Sequence, residues 1–298
     1  MRLLHVDTRQ LEEFFGDAIP PYAILSHTWG PDEVVFRDFE NEEYRNKHSY
    51  AKIDGCCREA KKSALSYVWV DTCCIDKSSS AELSEAINSM FQWYRVASVC
   101  YAYLEDVPPG EDPYQFGTAF RKSRWHTRGW TLQELLAPKR VIFFNSAWTE
   151  IFNHNAGQEL IRAEATSMNR GQDPYMSHYR MAERKLRTAL LSGITTIAVQ
   201  VLREEIPLES VSAACKFSWA AARKTTRIED SAYCLLGLMG VNMPLLYGEG
   251  EKAFVRLQEA VLGSSDDISV LAWGYDLSWK VTVDAIRGSI LASSPSEF

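Results

Sequence analysis

Apolar and polar positions divide this chain into two unlike parts. Up to about residue 155, short and nearly continuous apolar runs alternate with segments whose apolar side chains recur at helical spacing. "YAILSHTWG" (22–30) is an apolar run closed by a glycine turn, which predicts a buried strand and a loop. Ile53, Cys56, Cys57, Ala60 and Ala64 then fall on one helical face. "YVWVDTCCID" (67–76) is β-branched and aromatic, a second strand, and the serines 78–80 after it offer helix N-caps. Ala86, Ile87, Met90, Phe91 and Tyr94 form the next helical stripe. "VASVCYAYLEDV" (96–107) predicts a third strand stopped by "PPGEDP", and "RVIFFNSAW" (140–148) a fourth. A short helix ending at Pro138 lies between them.

Strands without strict alternation, separated by helices, belong to a parallel sheet covered on both faces. Ligands of such sheets bind beyond the carboxyl ends of the strands, where the strand order reverses. Those ends here carry Ser26, His27, Thr28, Trp29 and Gly30, then Asp71 to Asp76, then Glu105 and Asp106. Beyond about residue 156 the pattern turns mostly helical, through "GQELIRAEATS", "RKLRTALLSGITTIAVQVL", "SVSAACKFSWAAARK", "EDSAYCLLGLMG" and "GEKAFVRLQEAVLG". Gly240 and Gly263 read as helix stops, and "SVLAW" (269–273) as a late strand. The expected organisation is an α/β core over 1–155 and a helical extension over 156–298 packed on it.

Composition narrows the function. Of 298 residues, 46% are apolar, enough for a packed core. A net charge of −7 argues against a general nucleic-acid or anionic-membrane partner. Seven cysteines, four of them in the doublets 56–57 and 73–74, suit a reducing compartment better than a disulfide framework. With no apolar run of membrane-spanning length and no signal core, the chain reads as cytoplasmic. The six histidines have no metal-ligand spacing, so no metal is expected. Cys74 has no histidine placed by sequence to activate it, and neither a phosphate-binding loop nor a dinucleotide fingerprint is present.

In order and spacing, "YAILSHTWG", "YVWVDTCCID" and "RGWTLQELLAP" resemble the three signature blocks of the fungal heterokaryon-incompatibility (HET) domain. His27 stands where an aromatic is common in that family, and "CCIDK" where "CINQ" is frequent. "RIEDSAYCLLGLMGVNMPLLYGEGEKAFVRLQEAV" is similar to the downstream segment of HET proteins that carry a nucleotide-binding and WD-repeat tail. "LASSPSEF" resembles the end of their amino-terminal region, which implies the effector part of a longer protein. The family resemblance implies a trigger of cell death in incompatibility or innate immunity. The HET domain is in turn distantly similar to the TIR domain, a flavodoxin-like sheet of five parallel strands, many of which cleave NAD with the Glu of a "WCxxEL" block. Trp130 to Leu135 matches that block, with Thr131 in the Cys position, and the match implies a catalytic role for Glu134.

From the residues alone, Glu134 has two open readings. Thr131-Leu132-Gln133-Glu134 is also an S/T-x-x-E capping box, in which Glu134 would bond back to its own helix start. As a catalyst, Glu134 would stabilise the oxocarbenium-like ribose formed when nicotinamide leaves. Nicotinamide departs as a neutral base, so one carboxylate suffices. An anionic dinucleotide needs local cations, and Arg121, Lys122, Arg124 and Arg128 precede the helix, with Arg37 a further candidate. Ser26, His27, Trp29, Gly30, Asp71 and Trp130 would line the mouth, although Trp29 reads more readily as core and Gly30 as a simple turn. The expected ligand is a nucleotide, with NAD as substrate and no resident cofactor. The TIR resemblance further implies self-association on activation, and the HET resemblance a nucleotide-binding/WD-repeat receptor, fused or separate. The alternative is a non-enzymatic oligomerising adaptor that kills through its partners.

Overall fold

The computed structural model describes residues 1–40, 43–155, 174–274 and 290–298. One mixed sheet holds β1 (Arg2–His5), β2 (Leu11–Glu13), β3 (Tyr22–His27), β4 (Tyr67–Trp69), β5 (Val99–Tyr103), β6 (Arg140–Phe144) and β7 (Glu150–Asn155). Their order is β2-β1-β4-β3-β5-β6-β7. The four inner strands β4, β3, β5 and β6 are parallel, while β1, β2 and β7 are antiparallel additions at the two sides. Counted among themselves, the parallel strands run 2-1-3-4, the flavodoxin-like order. The TIR resemblance implies five parallel strands; four are present, and β7 returns antiparallel because the turn over 145–149 is too short for a crossover.

Five helices accompany the sheet: α1 (Phe36–Glu40), α2 (Tyr50–Lys62), α3 (Ser80–Val96), α4 (Ala119–Lys122) and α5 (Thr131–Leu136). Side-chain alternation decides which face each one covers. On β5, Tyr101 reaches the α2 backbone at Glu59 O (3.1 Å), whereas the adjacent Cys100 points at the α5 carbonyl of Glu134. Cys100 sits beside Ile24, and Ile24 beside Trp69, whose ring packs edge-on against Trp93 and Tyr94 of α3. So α2 covers one face of the sheet, and α3 with α5 the other. Ile24, Leu25 and Val68 are fully enclosed between these layers, each contributing about 1.5–3 kcal/mol by leaving water. The serine cluster caps as its composition suggests: Ser79 Oγ accepts from Glu82 N (3.3 Å) at the start of α3.

The later helices are α6 (Pro174–Thr195), α7 (Val199–Leu202), α8 (Ala213–Ser218), α9 (Asp230–Tyr233), α10 (Leu236–Met239) and α11 (Lys252–Ser264). They share a continuous apolar cluster with the sheet layer. Gly240 ends α10 in the left-handed region (φ 71°), as its position predicts, but α11 runs past Gly263 to Ser264. The late strand expected at 269–273 is instead a single 3-10 turn over Ile268–Leu271, started by Asp267, which accepts from Ser269 N (3.0 Å). The helix expected at "GQELIRAEATS" lies outside the described residues. All seven cysteines are free, and the two doublets are buried. Among the described residues, no helix is long and apolar enough to cross a membrane.

Candidate active site

The strand order reverses at β3, between β4 and β5, and a cavity of about 270 Å³ lies beyond the carboxyl ends there. That is just below the range for small-molecule sites, roughly 300–1,000 Å³. Its apolar side comes from α3, through Leu83, Ile87 and Met90, with Ile75 from the loop before it. His27, Trp29, Asp71 and Lys77 form the wall after β3 and β4. Arg128, Trp130, Thr131 and Glu134 form the opposing wall. Thr226, Arg227, Asp230 and Tyr247 from the helical region close the remaining side.

Glu134 projects from α5 into this cavity and is 7% exposed. The capping box does not form. Thr131 Oγ1 donates to the carbonyls of Trp125 and Arg128 instead, and Glu134 Oε2 accepts from Ser26 Oγ. Ser26 in turn accepts from the fully buried indole of Trp125 (2.7 Å), so its own proton is committed to Glu134. Burial pushes the Glu134 carboxyl up to about 8, with the Ser26 donor opposing only in part. No ion pair compensates it among the described residues. A carboxyl so placed is mostly neutral at pH 7 and ionises when a cation comes beside it. Ser26 therefore supports Glu134 instead of lining the mouth. Ser26→Ala is expected to raise the Glu134 pKa further, read as an alkaline displacement of its carboxyl carbon-13 titration.

Asp71 differs in every respect. Burial disfavours its charge, but Lys77 at 4.0 Å and donors from His27 (3.1 Å) and Trp29 (2.9 Å) outweigh it and hold the pKa at about 2. Of the three carboxyls lining the cavity, Glu134 and Asp71 are thus one neutral and one charged, set apart by their neighbours. Trp29 is 46% exposed and carries the Lys77 ammonium 3.5 Å above its ring, so it is a wall of the cavity and not core.

The remaining sequence candidates lie elsewhere. Gly30 N donates to Glu33 (2.6 Å), where the glycine turns the chain. Arg37 is exposed on α1, outside the cavity. Arg124 is 58% exposed and faces Glu105 (3.7 Å) and Asp106 (3.9 Å). Arg121 is tied to the carbonyls of Tyr114 and Gln115. Of the four-cation loop only Arg128 lines the cavity, because the loop bends through a 3-10 turn over Arg124–Thr127. Asp76 accepts from Ser78 N (2.9 Å), closing the serine turn. Cys74 is buried and outside the cavity. Lys77, Tyr94, Arg227, Asp230 and Tyr247 also line the site, and sequence reasoning does not single them out. The helical stripe that contains Tyr94 is legible in the sequence, but that it borders a cavity is not. No cluster of three or more potential metal ligands exists among the described residues.

Fold and cavity together define a doubly wound α/β domain with a carboxyl group at its switch point. Residues 22–116 match the family model described as heterokaryon incompatibility protein (HET). The chain is 40% identical over 310 residues to vegetative incompatibility protein HET-E-1 of Podospora anserina, an alignment covering 99% of this chain and 20% of that protein. It therefore spans about a fifth of the length of that relative. No solved structure matches the chain. The chain carries a heterokaryon-incompatibility domain.

Proposed function

We propose that this domain is a cell-death effector of fungal incompatibility that cleaves NAD, or a related nucleotide, at the nicotinamide–ribose bond. The observation carrying the reading is the buried Glu134 carboxyl on the cavity wall, held by Ser26 and in no ion pair among the described residues. In the reaction the bond between the anomeric carbon and the ring nitrogen breaks, and both electrons leave with neutral nicotinamide. Water adds its oxygen to the anomeric carbon and loses a proton to solvent or to Glu134. The bound nicotinamide ring is cationic, so its approach favours ionised Glu134, which then faces the positive charge developing on the ribose. Low polarity around the carboxylate strengthens that attraction. Trp29, Trp130 and the α3 stripe supply flat and apolar surface for a ring, while Asp71 lies across the cavity as a fixed acceptor.

Activity is expected only when chains self-associate, and a nucleotide-binding/WD-repeat receptor, fused or separate, would bring them together. The test is incubation of concentrated protein with NAD, NADP and ATP, followed by product analysis. Free nicotinamide with ADP-ribose from NAD, and no product from ATP, is the expected result. If protein shown to be assembled leaves all three intact, the enzymatic reading falls and the adaptor remains.

A further inference from the structure

The carboxylate wall of the cavity is joined to the helical region through one backbone bridge. Gly129 N donates to Lys224 O (2.9 Å) and Lys224 N to Thr127 O (2.7 Å), a parallel pairing of 127–129 with 224. A Cβ on Gly129 would collide with the Thr225 methyl, so the two segments approach as closely as glycine permits. Arg223 fastens the joint from inside, donating to Arg128 O (2.9 Å) and to Thr131 Oγ1 (3.1 Å) at the first turn of α5. The register of the bridge then positions the residues just after Lys224. Arg128 Nη1 donates to Thr226 Oγ1 (3.1 Å), and Arg227, the next residue, lines the same cavity as Arg128. The Arg227 guanidinium lies 4.3 Å over the Tyr247 ring, another cavity residue from the helical region.

Arg128 acts on Glu134 and Arg227 on Asp230 only through space, each opposing the rise that burial causes in that carboxyl's pKa. Lys77 faces Asp71, while neither Arg128 nor Arg227 forms an ion pair among the described residues. Two guanidiniums lining one cavity, one held by a hydroxyl and one by a ring, suit two linked phosphoryl groups, since each presents a planar donor fork. We infer that Arg227, delivered by the Gly129–Lys224 joint, is a specificity-determining residue that with Arg128 binds the diphosphate of a dinucleotide substrate. The inference rests on the nucleotide reading above, and deepens it: the substrate must carry a diphosphate, and the helical region supplies half of its anion site.

The test separates binding from chemistry. Calorimetry on the full chain would compare ADP-ribose, which has the diphosphate, with nicotinamide riboside, which has no phosphate. Arg227→Gln is expected to weaken ADP-ribose binding about tenfold, with nicotinamide riboside binding unchanged. Arg227→Lys should recover part of the loss. If NAD is cleaved, Arg227→Gln should raise KM and leave kcat nearly in place. Equal weakening of both ligands would mean a merely structural residue, and ADP-ribose affinity kept within twofold would overturn the proposal; so would failure of the wild-type chain to bind ADP-ribose. Binding of ADP-ribose through Arg227 without nicotinamide release from NAD would leave the anion site standing and remove the hydrolase reading alone.

Discussion

Glu134→Gln abolishes nicotinamide release and, at the same time, makes the protein more stable at alkaline pH: these are the expected results of one substitution. The amide keeps the shape and still accepts from Ser26, but it cannot carry the charge that the proposed reaction sets against the ribose. Loss of a preorganised electrostatic partner costs at least about 100-fold in turnover. Stability moves the other way because the Glu134 pKa is raised in the folded chain, from an ordinary 4.5 to about 8, chiefly by burial. Below pH 4.5 the carboxyl is protonated in both states and the two proteins should be equally stable. As pH rises towards 8 the unfolded chain gains from ionisation while the folded one does not, so wild-type stability falls relative to the variant. The gap should reach on the order of 4 kcal/mol near pH 8. Denaturant unfolding at pH 4, 6 and 8 reads it directly. A gap of the same size at all three would mean that the carboxyl is not neutral in the folded protein.

Gly237→Ala is expected to destabilise the chain strongly, although the same change in most helices is favourable. In an open helix, alanine gains roughly 1 kcal/mol over glycine. Gly237 lies in α10 against α3, and a methyl group there would overlap the Cβ and Cγ of Phe91. Those atoms are next to the α3 backbone and cannot swing aside as a chain end would. Overpacking of this kind costs about 3 kcal/mol, which outweighs the propensity gain. The net loss of about 2 kcal/mol should lower the melting temperature by roughly 4–8 °C. Adding Phe91→Ala should recover much of the loss relative to Phe91→Ala alone, since the clash is gone. If Gly237→Ala melts at or above the wild type, the helical region does not seat on α3 as described.

The parallel strands are legible in the sequence because β3 to β6 are apolar without alternation, as burial on both faces requires. The outer strands β1, β2 and β7 are not: β2 and β7 are edges with one partner each and need no such pattern, and β1 offers only four residues to read. Glu134 can be singled out, yet the accompanying capping box misleads. A threonine hydroxyl chooses among nearby carbonyls and amides, and the turn before α5 offers Thr131 two carbonyls. Trp29 reads as core because size and aromaticity do not distinguish a buried ring from one that walls a cleft. Arg227 and Tyr247 are out of reach for another reason. They arrive about a hundred positions after Arg128 through a backbone bridge, and no local periodicity encodes a contact of that range.

The Gly129–Lys224 joint also orders events during synthesis. Chains fold from the amino terminus as they leave the ribosome. A nascent chain exposed only through β7 already has the sheet and α5, but nothing yet lies where Arg223 will anchor or Tyr247 will close the cleft. A cleft built this way stays incomplete until the chain has been translated past Tyr247, so a product that stops at β7 lacks its closing wall.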